Sequence, residues 1–185
     1  MISKPYLLFL GDAKDELAIK TAAGINYWRP EWCIGQMSLP NAKSSLGINE
    51  ISLEEAVKRG AKTFVLGVVN AGGKMPEGWI DIIVKAISLG LDIASGMHSR
   101  LSSFDEISKA AIKHGVKLHD LRYNNIKFDT GKGLKRTGKR LLTVGTDCSV
   151  GKKYTALAVE KAMLEKNMKV SFKATGQTGV LIAEN

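Results

Sequence analysis

The chain has 185 residues, 44% of them hydrophobic and 24% charged, with a formal net charge of +9. That length allows one large or two small domains, and the composition is that of a globular protein rather than a disordered or fibrous one. No apolar run approaches the roughly 18 residues needed to span a bilayer, and Met1-Ile2-Ser3-Lys4-Pro5 lacks the pattern of a secretory leader, so a cytoplasmic chain with no membrane partner is expected.

Tyr6 to Leu10 reads as a buried strand that turns at Gly11-Asp12 into a helix from Asp15 to Ala23, with Leu17, Ala18, Thr21 and Ala22 on one face and Gly24 as its C-cap. Trp28-Arg29-Pro30-Glu31-Trp32 is a loop, and Cys33 to Leu39 a short strand. Ser52 with Glu55 three residues on forms a capping box, opening a helix that Gly60 ends. Thr63 to Val69 is β-branched and uncharged, the pattern of a fully buried strand, and Asn70-Ala71-Gly72-Gly73 follows it. A helix from Ile80 to Leu89, a strand from Asp92 to Gly96, a helix from Phe104 to His114 and a strand from Val116 to Leu118 complete the alternation. Strands and helices alternating at this spacing argue for an α/β fold with a parallel, doubly wound sheet. Ligands of such sheets lie beyond the carboxyl ends of the strands, which places Gly11-Asp12, Asn70 to Gly73 and Gly96 to Arg100 near a site.

Residues 1–123 are therefore expected to form a Rossmann-like domain, 124–139 a basic linker, and 140–185 part of a second domain. Lys127, Lys132, Lys135, Arg136, Lys139 and Arg140 gather in and beside the linker. The chain is only 6% aromatic and carries no helix-turn-helix or RNA-binding pattern, so this charge is read as serving a nearby phosphate site rather than nucleic acid. Cys33 and Cys148 are too few and too far apart for a disulfide framework, and no Cys/His spacing suggests a metal site.

Leu141 to Val144 reads as a strand leading into Gly145-Thr146-Asp147-Cys148-Ser149-Val150-Gly151-Lys152-Lys153 and then a helix from Lys152 to Lys166, whose inner side is expected to carry Ala156, Val159, Ala162 and Met163. Strand, glycine-bounded loop, Gly-Lys and helix is the order of a P-loop, whose inward N–H groups, helix N-terminus and lysine hold phosphate oxygens. Five residues rather than four separate the two glycines, and Lys153 stands where an NTP-binding loop has a Mg²⁺-binding Ser or Thr; Thr155 is a displaced hydroxyl. Lys169 to Ala174 is a second strand, and Thr175-Gly176-Gln177-Thr178-Gly179 a turn beside the loop. Some 45 residues are too few to bury an α/β core, so this portion is expected to be the start of a truncated P-loop NTPase-like domain, the chain being an N-terminal fragment.

The loop from Gly145 to Ala156, together with Ala174 to Gly179, resembles the D-glutamate N-acetyltransferase family, a former family of unknown function with a Rossmann-like N-terminal and a P-loop C-terminal domain. Gly11-Asp12, Ala18 to Gly24, Trp28 to Glu31, Gly35-Gln36 and Ser95 to His98 are similar to it as well. The Gly-Thr-Asp-x-x-Val-Gly-Lys form also resembles the loop of dethiobiotin synthetase, which continues with Thr where this chain has Lys153. The first resemblance implies acetyl transfer from acetyl-CoA to the amine of D-glutamate or other D-amino acids. The second implies an ATP- and Mg²⁺-dependent kinase or ligase, and a non-catalytic nucleotide- or CoA-binding module is the third reading. Coenzyme A offers phosphates without needing Mg²⁺, which suits Lys153; Gly145, Thr146, Asp147, Cys148, Ser149, Val150, Gly151, Lys152, Lys153 and Tyr154 are the cofactor-binding candidates, with no metal ligand among them.

Acyl transfer to an amine needs a base, for which Asp147 and His98 are the candidates; a loop-bonded carboxylate and an exposed loop histidine are the competing readings. Cys148 is either an acyl-accepting thiolate or a small loop-filling residue. Arg29 and Arg100 suit the carboxylates of an acidic amino acid or surface salt bridges, and Thr175, Gln177 and Thr178 complete the substrate-binding set. A small-molecule substrate and a homo-oligomeric assembly are expected.

Overall fold

The structure, a computed structural model, describes residues 2–69, 71–123, 129–135, 137–147 and 150–183. Five parallel strands, β1 (Tyr6–Gly11), β2 (Cys33–Ser38), β3 (Thr63–Leu66), β4 (Asp92–Ser95) and β5 (Leu118–Asp120), pair in the order β2-β1-β3-β4-β5. β1 is an interior strand, paired on both sides, and is buried at every residue, as its unbroken apolar run requires. The strand order reverses direction at β1, so the switch point of the sheet lies between β1 and β3.

The connecting helices are α1 (Lys20–Trp28), α2 (Leu53–Lys58), α3 (Ile80–Ser88) and α4 (Asp105–His114). Ser52 caps α2 by accepting from the Glu55 N–H at 3.1 Å. α1 starts five residues later than the sequence suggests. The Asp15 carboxylate accepts from the Ala18 N–H at 2.8 Å and holds residues 15–18 in a separate turn, so Leu17 is exposed. Gly24 is consequently not a cap but a buried residue inside α1. β3 ends at Leu66: the Gly67 N–H still donates to Phe9 of β1, but the Gly67 carbonyl accepts from Ala22 of α1 and Val69 donates to the Ala18 carbonyl. Gly67 has a packing reason, since a Cβ there would lie 2.5 Å from the Cβ of Ala22. β5 is displaced by two residues from its predicted place and runs over Leu118–Asp120.

The second portion differs most from expectation. α5 (Lys152–Glu165) forms, but neither Leu141 to Val144 nor Lys169 to Ala174 is a strand. Leu141, Leu142 and Val144 are exposed, and neither segment has a neighbouring strand among the described residues to pair with. A lone strand leaves its backbone groups to water and gains no ladder. Residues 175–179 are more than a turn: α6 (Gln177–Ile182) begins within them and buries Leu181 and Ile182 in the main core. α6 packs on α1, so it covers the sheet from the α1 side, while α3 packs on α4. α5 buries Leu157, with Lys153 and Glu160 half-buried one turn on either side, whereas Ala162 of the expected inner face is exposed. α5 meets α1 through Lys153 and Tyr154, and Glu160 reaches Arg29 just beyond the end of α1. No helix among the described residues is long and apolar enough to cross a membrane.

Candidate functional site

Two groups of residues lie at the carboxyl ends of the strands, and the P-loop beside α1 forms a third. The first is a cleft of about 430 Å³ at the β1/β3 switch point, lined by Asp12, Asp15, Lys20, Val68, Val69 and Trp79 among others. Lys14 lies 3.7 Å from the Asp12 carboxylate at its rim.

The second group follows β4. His98 is exposed and stacked against the turn at Gly73, whose missing Cβ would fall 2.2 Å from the imidazole Cδ2. The His98 N–H donates to the Gly73 carbonyl at 2.8 Å, and its own carbonyl accepts from the Tyr123 hydroxyl. Arg100 is exposed and lies over the Tyr123 ring at 4.2 Å. The half-buried Gln177 of α6 comes down on this loop, its Cβ 3.0 Å from where Gly96 would carry one. Gln177, His98 and Arg100 thus share one loop cluster, while Thr175 is exposed just before α6.

The P-loop is the third. Gly145, Thr146, Asp147, Val150 and Gly151 are exposed, and Cys148 and Ser149, two of the cofactor-binding candidates, lie outside the described residues. Gly151 has φ +95°, a left-handed turn that starts α5 at Lys152. The loop doubles back closely enough that a Cβ on Gly145 would lie 2.7 Å from Val150 Cγ2 and 3.2 Å from Lys152 Cγ. The Lys152 ammonium donates into the loop, to the Asp147 carbonyl, and Thr143 Oγ1 donates to the Lys152 carbonyl at 2.9 Å. The Thr155 hydroxyl donates back to the Gly151 carbonyl at 3.2 Å. With Lys152 folded back over Gly145 and Asp147, the described ends of the loop carry a cation where a phosphate group would be met.

Lys153 goes the other way. It crosses the seam between α5 and α1, where a missing side chain makes room for it. A Cβ on Gly24 would meet the Tyr154 hydroxyl at 3.0 Å, Thr178 Cγ2 at 3.4 Å and the Lys153 Nζ at 3.6 Å. Thr178 and the buried Thr21 share a hydrogen bond of 3.3 Å between their hydroxyls. Burial, with the nearby Lys20 charge adding to it, lowers the Lys153 pKa from its ordinary value. Burial and the neighbouring Tyr27 raise that of Tyr154, which keeps its proton.

The rest of the seam is aromatic and ionic. Tyr154 stacks on Tyr27 with centroids 6.3 Å apart and meets Trp28 edge-on at 5.8 Å. Arg29 lies 3.9 Å from Glu160 and donates to the Trp28 carbonyl at 2.9 Å. The structure thus places Arg29 in the seam, away from the cluster that holds Arg100. Sequence reasoning missed Lys20 and Gly24 and took Thr21 for an apolar-face residue. Thr21 and Thr178 are 157 positions apart, and the one local signal was a glycine inside a helical pattern. Among the described residues, no group of three His, Cys, Asp or Glu is placed to hold a metal ion.

Comparison with known proteins gives three results. Residues 38–124 match the domain of unknown function DUF1611_N, described as Rossmann-like, and residues 127–185 match DUF1611_C, described as a P-loop domain. Two proteins called D-glutamate N-acetyltransferase, from a Pseudoalteromonas species and from Tritonibacter scottomollicae, are 53% and 50% identical over 182 residues, which is 98% of this chain and 55% of each relative. The crystal structure of a DUF1611 family protein from Anabaena variabilis superposes with a TM-score of 0.79 at 25% identity, over 97% of this chain and 55% of that one. The chain thus spans about half the length of the curated relatives it matches.

Proposed function

The chain belongs to the DUF1611 family, and on that premise we propose that it is part of an N-acetyltransferase that moves an acetyl group from acetyl-CoA to the amine of D-glutamate. Identity of 50% or more along almost the whole chain to two proteins of that name is the observation that carries the activity. The curled loop at Gly145 to Lys152 supports a phosphate-bearing donor. The donor's thioester supplies the activated acetyl group.

This chain's residues would contribute position and protons. Gly145 to Lys152 would hold phosphate through backbone N–H groups and the Lys152 ammonium, with Tyr154 beside them. The attacking amine must be neutral, so a base has to take its proton; His98 and Asp147 are the proposed candidates. Arg100, standing with Gln177 at the end of β4, suits a substrate carboxylate. An ATP–Mg²⁺ reading is not favoured: a lysine occupies the position of the metal-binding hydroxyl, and the Thr155 hydroxyl donates to its own helix.

The test is release of free thiol by the purified full-length protein given acetyl-CoA and D-glutamate. Thiol appearing with D-glutamate and not in its absence is expected. No thiol release above the rate without enzyme would overturn the proposal.

A further inference from the structure

The turn between β1 and α1 is charged where a dinucleotide-binding fold is glycine-rich. Gly11-Asp12-Ala13-Lys14-Asp15 sets the Asp12 and Asp15 carboxylates where such a fold receives a pyrophosphate, so the cleft at the β1/β3 switch point does not suit a nucleotide. It is nevertheless a formed space of about 430 Å³, within the range of small-molecule sites. Its apolar side is fixed. Trp79 is buried, stands edge-on to Phe9 at 5.1 Å, and lies so close to Gly11 that a Cβ there would fall 2.4 Å from the indole. Val68 and Ala13, also lining the cleft, are buried, and Ala13 is held through its N–H by Leu10 and through its carbonyl by Lys43.

The charged side carries both signs. Asp12 is half-buried, while Lys14, Asp15 and Lys20 are exposed. One Asp15 oxygen is taken by the Ala18 N–H. Lys14 donates to the Asn41 carbonyl at 3.2 Å and lies 3.7 Å from Asp12, where an exposed pair adds little to stability. Lys20 has no carboxylate partner among the described residues. Separate anionic and cationic groups around an apolar floor match a zwitterion. A carboxylate receives its ammonium, a lysine its carboxylate, and the aliphatic wall covers a short carbon chain. A phosphate ester would answer only the lysines, and a simple amine only the aspartates.

We propose that the β1/β3 cleft is the site of the acceptor amino acid, with Asp12 holding its ammonium, Lys20 a carboxylate, and Val68, Val69 and Trp79 its carbon chain. This rests on the acetyl-transfer reading for the identity of the ligand, D-glutamate, and gives its amine a place. α1 links the cleft to the P-loop: Lys20 lines the cleft, and Gly24, about one helical turn on, meets Lys153 and Tyr154 directly after the loop. Holding the ammonium also separates acceptor from product. Acetylation turns the cation into a neutral amide that Asp12 no longer attracts, so N-acetyl-D-glutamate binds more weakly than D-glutamate. Removal of the amine's proton before attack is a separate step and belongs to the base.

Isothermal titration of the full-length protein with D-glutamate, glutarate, N-acetyl-D-glutamate and CoA, each alone, tests this. Glutarate is D-glutamate without its ammonium. The unchanged protein is expected to bind D-glutamate at least tenfold more tightly than glutarate or N-acetyl-D-glutamate. Asp12→Asn should bring these three within threefold of one another and leave CoA within threefold of its parent value. Lys20→Gln should weaken all three at least fivefold, and Lys20→Arg should retain most of the binding. Val69 is 40% exposed on the cleft wall, so Val69→Phe fills the space without a core clash. It should weaken D-glutamate at least tenfold and serves if a charge variant fails to fold. The proposal is overturned if the unchanged protein does not prefer D-glutamate, or if folded Asp12→Asn keeps the preference. It is equally overturned if Arg100→Gln abolishes binding that Val69→Phe leaves intact. A protein with the Asp12-dependent preference that releases no thiol from acetyl-CoA refutes the reaction and leaves the site standing. Turnover with an unchanged KM for D-glutamate in Asp12→Asn refutes the site alone.

Discussion

Gly24→Ala probes how tightly the α1–α5 seam is packed. Inside a helix, alanine is favoured over glycine by roughly 1 kcal/mol. Against that gain, the new methyl would sit 3.0 Å from the Tyr154 hydroxyl, 3.4 Å from Thr178 Cγ2 and 3.6 Å from Lys153 Nζ. The first contact is too short by a few tenths of an ångström, but it involves the far end of a side chain that is 40% exposed and able to swing outward. The variant should therefore unfold in urea at the same stability as the parent or up to about 1 kcal/mol above it, with an unchanged denaturant slope. Gly67→Ala is the contrasting control. Its Cβ would lie 2.5 Å from the Cβ of Ala22, a contact fixed by backbone bonds of Gly67 to Phe9 and Ala22, and overpacking of this kind costs about 1–3 kcal/mol. A Gly24→Ala protein destabilised as much as Gly67→Ala would refute the picture of a seam rimmed by movable side chains.

Two further outcomes follow from the titrating groups. Burial, with the Glu31 charge adding to it, pushes the Cys33 thiol up to about 12 from an ordinary 9.0, so at pH 8 it holds about a thousandfold less thiolate than an unperturbed cysteine. Iodoacetamide should leave the Cys33 peptide unlabelled in the native protein and label it after denaturation; rapid native labelling contradicts this. Lys153 gives a pH dependence of defined sign. Its folded pKa lies below the unfolded 10.5, so the cost of its charge is fully present at neutral pH. As pH rises through the folded value, the folded lysine loses its proton while the unfolded one keeps it, and this contribution to stability increases. The stability of Lys153→Met relative to the parent should accordingly be greatest near pH 7 and decline towards pH 10, and a difference independent of pH would exclude the effect.

The parallel sheet was legible because its strands are continuous apolar or β-branched runs between turn residues. Tyr6 to Leu10 has only one way to be satisfied, burial on both faces. The start of α1 was not legible, since the Asp15 carboxylate competes with the helix for the Ala18 N–H and local propensity does not say which prevails. Leu141 to Val144 has a strand's composition, yet a strand exists only where another pairs with it. α6 was hidden for a different reason: Gly176 and Gly179 read as a turn, and it is burial of Leu181 and Ile182 against α1 that makes the segment helical. Of the site, the loop around Lys152 could be found from spacing alone. The company of Lys153 could not, because Gly24 belongs to the first helix of the chain and Thr178 to the last.

The Thr21–Thr178 bond joins positions 157 residues apart, and with the Arg29–Glu160 pair and the Tyr154–Trp28 contact it ties the last helices of the chain to the first. Contacts so distant in sequence must offset the entropy of closing a long loop before they contribute anything. Docking of α5 and α6 on α1 is therefore a step that the local sequence around either helix cannot drive alone, and it slows folding relative to a chain held by neighbouring elements.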